Sequence, residues 1–296
     1  MFLTNIKQSV LYLVLLSILL FSCGSSSDSS DQKPLNSTES GESTVVSDLV
    51  YVAALTGINL REEPGIGGKS IQLIPYMTEL KVLEHDIKKE SIDGFEGHWI
   101  KVSVNENVEG FLFDGFLLPI MPPPTNPPTG IEGYFKENLI RIGNQEAVRL
   151  IYDERIEGFK TIKVSLDKVK VEEESDMFEI KQEYAGGYYL TEQIGYENQT
   201  IKGFFPGLSL RQGFLLARSL MPSFGYDNCE LPLRSLKFPT KDETIRINDG
   251  CSYQVTLEVK DGKINKISFL SSDLGYYGLD IKNLNNGVEI STLYAL

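Results

Sequence analysis

Histidine is nearly absent from this chain: there are two in 296 residues, His85 and His98. An imidazole is the usual proton acceptor for a Cys or Ser nucleophile and a common zinc ligand. With none beyond position 98, the C-terminal part has no Cys–His dyad, Ser-His-Asp triad or ordinary zinc hydrolase site of its own. A basic surplus is lacking too. The formal net charge is −13, and every region after the first few residues is mildly acidic. Such a chain has nothing to neutralise a phosphate backbone, so nucleic acid is excluded as a partner. Tryptophan occurs once, at Trp99, and cysteine three times, at Cys23, Cys229 and Cys251. No apolar run reaches the roughly 20 residues that a membrane-spanning helix needs.

The apolar run that is present lies at residues 10–21, about a dozen long, after a start whose single charge is Lys7. This is the make-up of a signal-peptide core. Leu20-Phe21-Ser22-Cys23 closes it. A cysteine so placed resembles the lipobox of bacterial lipoproteins, in which the thiol is lipidated and becomes the new N-terminus. The resemblance implies a signal peptide over residues 1–22, lipidation at Cys23, and a membrane partner reached through that lipid. It also implies a cell-envelope location, periplasmic or surface-facing. Gly24 follows the cysteine in place of the Asp that signals inner-membrane retention in some bacteria, which favours the outer membrane over the inner. The alternative is an ordinary secretory signal cut near Ser22. Exported surroundings are oxidising and hold no nucleotide pool, so no cofactor is expected and Cys229 and Cys251 are expected to pair. Two small buried thiols are the other reading.

Residues 23–48, rich in Ser, Thr, Asp and Glu, cannot bury enough surface to fold and read as a disordered tether. Residues 121–130 contain Pro122-Pro123-Pro124 and Pro127-Pro128 and read as a stiff polyproline spacer of roughly 30 Å. Between and beyond lie two folded segments, 49–120 and 131–296. In the first, Ile100, Val102 and Val104 alternate with polar residues, Phe111 and Phe113 share a face, and Pro64, Gly65, Gly67, Gly68 and Pro75 bar a long helix. It is a small all-β unit.

The second segment holds strand-like runs at 147–152, 161–164, 178–184, 188–191, 253–260 and 263–270. Asp261-Gly262 between the last two is a strong hairpin signal. One helix is expected at 210–221. Ser209 and Gln212 form a capping box, Leu210, Phe214, Ala217 and Met221 share a face, and Pro222 ends it. The fold class expected overall is α+β, with a C-terminal antiparallel sheet and one main amphipathic helix.

The first segment resembles a bacterial SH3 domain. The family's opening stands here as Ile58-Asn59-Leu60-Arg61-Glu62-Glu63-Pro64. Its later landmarks stand as Trp99-Ile100-Lys101-Val102, Gly110-Phe111 and Phe116-Leu117. The chain departs from the pattern at Glu62-Glu63 and in the long charged stretch 85–97. The resemblance covers about 70 residues and implies an SH3-like barrel that recognises a peptidoglycan peptide or an envelope protein without catalysis. Trp99, Tyr51, Tyr76 and Phe116 would offer flat contact area, and Glu63 an acid for a peptide amine. In a domain this small such rings are more often core than ligand platform, and Arg61 with Glu63 reads equally as a structural pair.

Other motifs fail as chemistry. Gly68-Lys69-Ser70 ends like a phosphate-binding loop, but Glu63 occupies the position of its first glycine. Asn105, Asn107 and Glu109 start like a calcium loop whose twelfth position is Phe116. Glu172-Glu173-Glu174 with Asp176 reads as a solvated loop. Neither a catalytic residue nor a metal site is expected. The chain reads as a non-catalytic, lipid-anchored binding protein. Two alternatives stay open: a cell-wall glycan hydrolase working with C-terminal carboxylates, and a surface or assembly lipoprotein with the SH3-like unit as a spacer.

Overall fold

Two antiparallel sheets and two helices make up the fold in a computed structural model, which describes residues 48–124, 129–225, 227–271 and 277–295. Cys23, the signal segment 1–22 and the tether as far as residue 47 lie outside the described residues.

The N-terminal sheet contains β1 (Leu49–Val52), β2 (Ile58–Arg61), β3 (Ser70–Ile74), β4 (Glu79–Ile92), β5 (Phe95–Asn105), β6 (Val108–Phe113) and β7 (Leu117–Leu118). Their spatial order is β3-β2-β6-β5-β4-β1-β7. Helix α1 (Gly130–Asn138) follows, then β8 (Arg141–Asp153), β9 (Gly158–Val164), β10 (Met177–Tyr184), β11 (Tyr189–Gly195) and β12 (Asn198–Pro206). Helix α2 (Leu210–Leu220) precedes β13 (Glu243–Asn248), β14 (Cys251–Lys260), β15 (Lys263–Ser271), β16 (Gly278–Leu284) and β17 (Gly287–Ala295). These ten strands form one sheet, ordered β13-β14-β15-β16-β17-β12-β11-β10-β8-β9. The chain is mostly β, and α+β overstates its helical share.

Local signals set several elements. Asp261 and Gly262 both take positive φ, at 51° and 73°, as a two-residue hairpin turn requires. Helix α2 begins with the expected capping box: the Gln212 amide donates to Ser209 Oγ at 3.3 Å, and the Ser209 amide donates to Gln212 Oε1 at 2.9 Å. Its buried face lies close on the sheet, because a Cβ at Gly213 would fall 2.5 Å from Val288 Cγ1 on β17. Helix α1 is an addition to the sequence reading. It buries Ile131, Tyr134 and Phe135, one face at helical spacing.

The N-terminal sheet wraps a small core of its own, with Val52, Leu60, Ile74, Ile100, Val102 and Leu112. A larger core is shared between the sheets. Phe95, Trp99 and Phe113 from the N-terminal sheet join Phe214, Leu215, Phe238 and Phe269. The described residues accordingly fall in one compact unit.

The stretch 85–97 makes this junction. It extends the β4–β5 hairpin to a tip at Asp93 and Gly94, with φ of 50° and 81°. Just past the tip, Phe95 is fully buried, with ring centroids 5.3 Å from Phe116, 5.6 Å from Phe238 and 6.1 Å from Phe214. A Cβ at Gly94 would meet the Phe238 carbonyl oxygen at 2.8 Å, whereas one at Gly262 would meet nothing within 4 Å. Gly94→Ala should therefore destabilise by about 2–3 kcal/mol and Gly262→Ala by about 1 kcal/mol, the backbone strain alone. Urea unfolding of the two variants checks the difference, and equal costs would mean that the hairpin tip is not docked.

Residues 121–124 do not hold the sheets apart as a free spacer would. Pro122 and Pro123 are buried, and a tyrosine from each side holds this backbone. The Tyr76 hydroxyl donates to the Pro123 carbonyl at 2.6 Å, and the Tyr134 hydroxyl donates to the Met121 carbonyl at 2.9 Å. Asp176 also departs from its expected solvated setting. It is 8% exposed and accepts from the Glu172 and Glu173 amides and from Arg149 Nη2, at 3.0, 3.1 and 2.7 Å. Those amides and the guanidinium hold its carboxyl below the usual range, while Glu172, Glu173 and Glu174 are exposed, as expected of a solvated loop.

Candidate functional site

A cleft of about 540 Å³ opens where the N-terminal sheet meets α2. The turn from β1 to β2 forms one wall, and α2 with residues 234–237 forms the other. Its floor is aromatic. Trp99 on β5 pairs with Phe113 on β6, so the two rings share a face, with centroids 6.2 Å apart. Phe116 continues the layer 5.5 Å from Phe113, and Phe95 closes it. Trp99 is 3% exposed, and its indole N–H donates to the Glu90 carboxylate. The ring thus has a fixed orientation and is almost wholly buried.

The rim is cationic. Among the described residues, Arg61, Arg218, Arg234 and Lys237 line it, against a single acid, Asp93. Lys237 already engages that acid at 3.3 Å. Arg61 Nη1 donates to the Gly68 carbonyl at 2.5 Å and makes no ion pair with Glu63. Arg218, in the last turn of α2, donates from Nη2 to the Arg234 carbonyl. Its Nε is buried without an acceptor. Burial pulls this guanidinium below the ordinary arginine value, with Asp93 opposing the shift.

A second cleft, about 950 Å³, runs along another side of the β4–β5 hairpin and holds both histidines. His98 Nδ1 lies 3.2 Å from Asp86 Oδ1 and 3.9 Å from Asp114 Oδ2, and the His98 amide donates to Asp114 Oδ1 at 2.7 Å. Burial raises the Asp114 carboxyl, and the His98 amide opposes this. Its Glu96 is taken by Arg211 at 3.6 Å. Among the described residues no group of three or more His, Cys, Asp or Glu is placed to hold a metal ion. Among the described residues, neither cleft is lined by an Asp or Glu from residues 131–296.

Of the five residues expected at a ligand surface, Trp99 and Phe116 meet in the first cleft and three lie elsewhere. Tyr51 is half-buried and donates to Glu79 Oε2 at 2.8 Å, which, with partial burial, pushes its hydroxyl up. Tyr76 spends its hydroxyl on Pro123, and burial pushes it to about 12. Glu63 is exposed and lines neither cleft. The charge at the rim is thus the reverse of that expected from Glu63: cations face the cleft. Cys229 and Cys251 are joined by a disulfide with Cα atoms 5.4 Å apart.

Arg218, Arg234 and Lys237 had no place in the sequence reading. Arg218 stands four residues after Phe214 on α2, a cation on the margin of an otherwise apolar face, and that was the available signal. Arg234 and Lys237 carried none, since a loop cation is ordinary surface until the fold sets it beside others. Comparison of the chain with protein families, with curated proteins and with solved structures finds no match.

Proposed function

We propose that the chain is a non-catalytic, lipid-anchored extracytoplasmic binding protein. Its SH3-like N-terminal sheet and α2 together take a cell-wall peptide or an envelope protein partner. The observation that carries this reading is the first cleft, where an oriented aromatic floor and convergent polar groups combine in the manner of a ligand site. In this reading the lipid at Cys23 fixes the chain to the cell envelope and the tether sets its reach.

Two measurements on the full chain test the reading. Cells fed a labelled fatty acid should label the parent and not Cys23→Ser. The detergent-solubilised protein should co-sediment with insoluble peptidoglycan. Ile66, which lines the cleft and is 54% exposed, can be changed to Ala at little folding cost. That change should weaken sedimentation about fivefold, the effect of losing roughly 1 kcal/mol of apolar contact. A parent that stays in the supernatant at every salt concentration would remove the wall-binding reading.

A surface or assembly role draws on a different observation. The β8–β9 hairpin at the sheet edge exposes Tyr152, Ile156, Phe159 and Ile162 at 50–59% each. A photo-crosslinker at Phe159 that yields one discrete adduct in intact cells would favour it. The hydrolase reading has no such support, since among the described residues no C-terminal carboxylate lines either cleft.

A further inference from the structure

We infer that the first cleft receives a free carboxylate carried beside an apolar side chain, as at the C-terminus of a short peptide. The inference rests on the binding reading above and names the ligand chemistry of that site. In a chain with 41 acids and 28 bases, an arginine seldom lies far from a carboxylate. Arg61, Arg218 and Arg234 nevertheless converge on one cleft, and among the described residues none makes an ion pair. The one acid on the rim, Asp93, is occupied by Lys237. The cleft therefore gathers guanidinium groups that the described residues do not pair with a carboxylate.

Arg218 is the most telling of them. Its Nη2 is tied to the Arg234 carbonyl, so the guanidinium is held in place, while its buried Nε–H has no acceptor. An unmatched buried donor is costly, and it adds to the positive charge left uncompensated at this wall. The planar guanidinium fork suits a carboxylate, which accepts two parallel N–H bonds.

Position argues for a single negative charge rather than a phosphate. Arg218 lies in the last turn of α2, where the helix dipole is negative and offsets part of the cationic field. Among the described residues, the α-helix at this cleft meets it through Leu215 and Arg218, in its C-terminal half, so its N-terminal amides are not turned to a phosphate there. Beside the cations, the half-buried Phe116 and the exposed Ile66 offer an apolar seat over the buried Trp99 and Phe113 rings. The volume of about 540 Å³ is that of a small-molecule site, enough for a few residues.

The test uses the full chain in detergent and calorimetry with two probes, N-acetyl-Ala-Leu-Phe as the free acid and as the C-terminal amide. The acid should bind, and the amide about tenfold or more weakly, the size expected of a charge-assisted pair. Arg218→Gln and Arg234→Gln should each weaken the acid about tenfold and leave the amide unchanged. The Arg234 side chain is exposed, so that variant keeps the test valid should Arg218→Gln fail to fold. Acid and amide binding alike, or Gln variants that hold the acid as tightly as the parent, would overturn the inference. If neither probe binds while the parent still sediments with peptidoglycan, the carboxylate idea falls and the binding reading stands. If neither probe binds and nothing sediments, both fall.

Discussion

Phe214→Ala should lower the unfolding free energy by about 3–5 kcal/mol, and the N-terminal sheet should lose stability along with α2. Phe214 is fully buried on α2, with ring centroids 5.5 Å from Phe238, 6.1 Å from Phe95 and 6.2 Å from Phe269. Truncation would leave a cavity between the sheets that neither can close alone. The chain carries its own probe for this. The single tryptophan, Trp99, lies in the N-terminal sheet, far along the sequence from the substitution. Urea titrations followed by Trp99 fluorescence and by far-ultraviolet dichroism should move to the same lower midpoint. Two independent domains on a spacer would behave differently, with the Trp99 midpoint unmoved, and that result would refute the shared core.

Replacing both Cys229 and Cys251 by Ser should cost about 3 kcal/mol by the loop-closure relation for a bridge of this span. The bridge joins positions 22 apart and ties the short turn Asp227–Cys229 to the start of β14. The segment inside that loop supplies Arg234, Ser235, Leu236 and Lys237 to one wall of the first cleft. It also supplies Phe238 to the shared core. Thermal unfolding with and without reductant measures the effect: the parent should fall to the level of the double variant on reduction, and the double variant should not respond. Unchanged stability in the double variant would mean that the wall holds its shape by packing alone.

Elements with self-contained signals were legible in the sequence. The Asp261-Gly262 hairpin needs only two residues that tolerate positive φ, and α2 needs only a capping box, an apolar face and a proline beyond it. Asp93-Gly94 carries the same hairpin signal, yet the charged residues around it conceal a strand pair, because β4 is largely exposed there. The place of β16 and β17 between β15 and β12 had no local mark, since strand order depends on partners distant in sequence. The site divides in the same way. Its aromatic half lies within one stretch of chain, so Trp99 and Phe116 were in view. Of its cations only Arg61 lies in that stretch; Arg218, Arg234 and Lys237 come from α2 and a later loop, and regional charge averages erase cations that meet only in the folded chain.

The clasp between the β4–β5 hairpin and α2 also sets an order of events. A chain made from its N-terminus produces Phe95 early, and Phe214 and Phe238 only after α1 and five strands of the second sheet. Until those rings appear, the hairpin tip has nothing to dock on, and the aromatic layer of the N-terminal sheet stays open on one side. Contacts so distant in sequence form late and slowly. The N-terminal sheet therefore waits for the C-terminal half, and its final tightening coincides with assembly of the cleft. A truncated chain that stops within the second sheet would leave both parts unfinished, exposing the same phenylalanines to whatever surface is nearest.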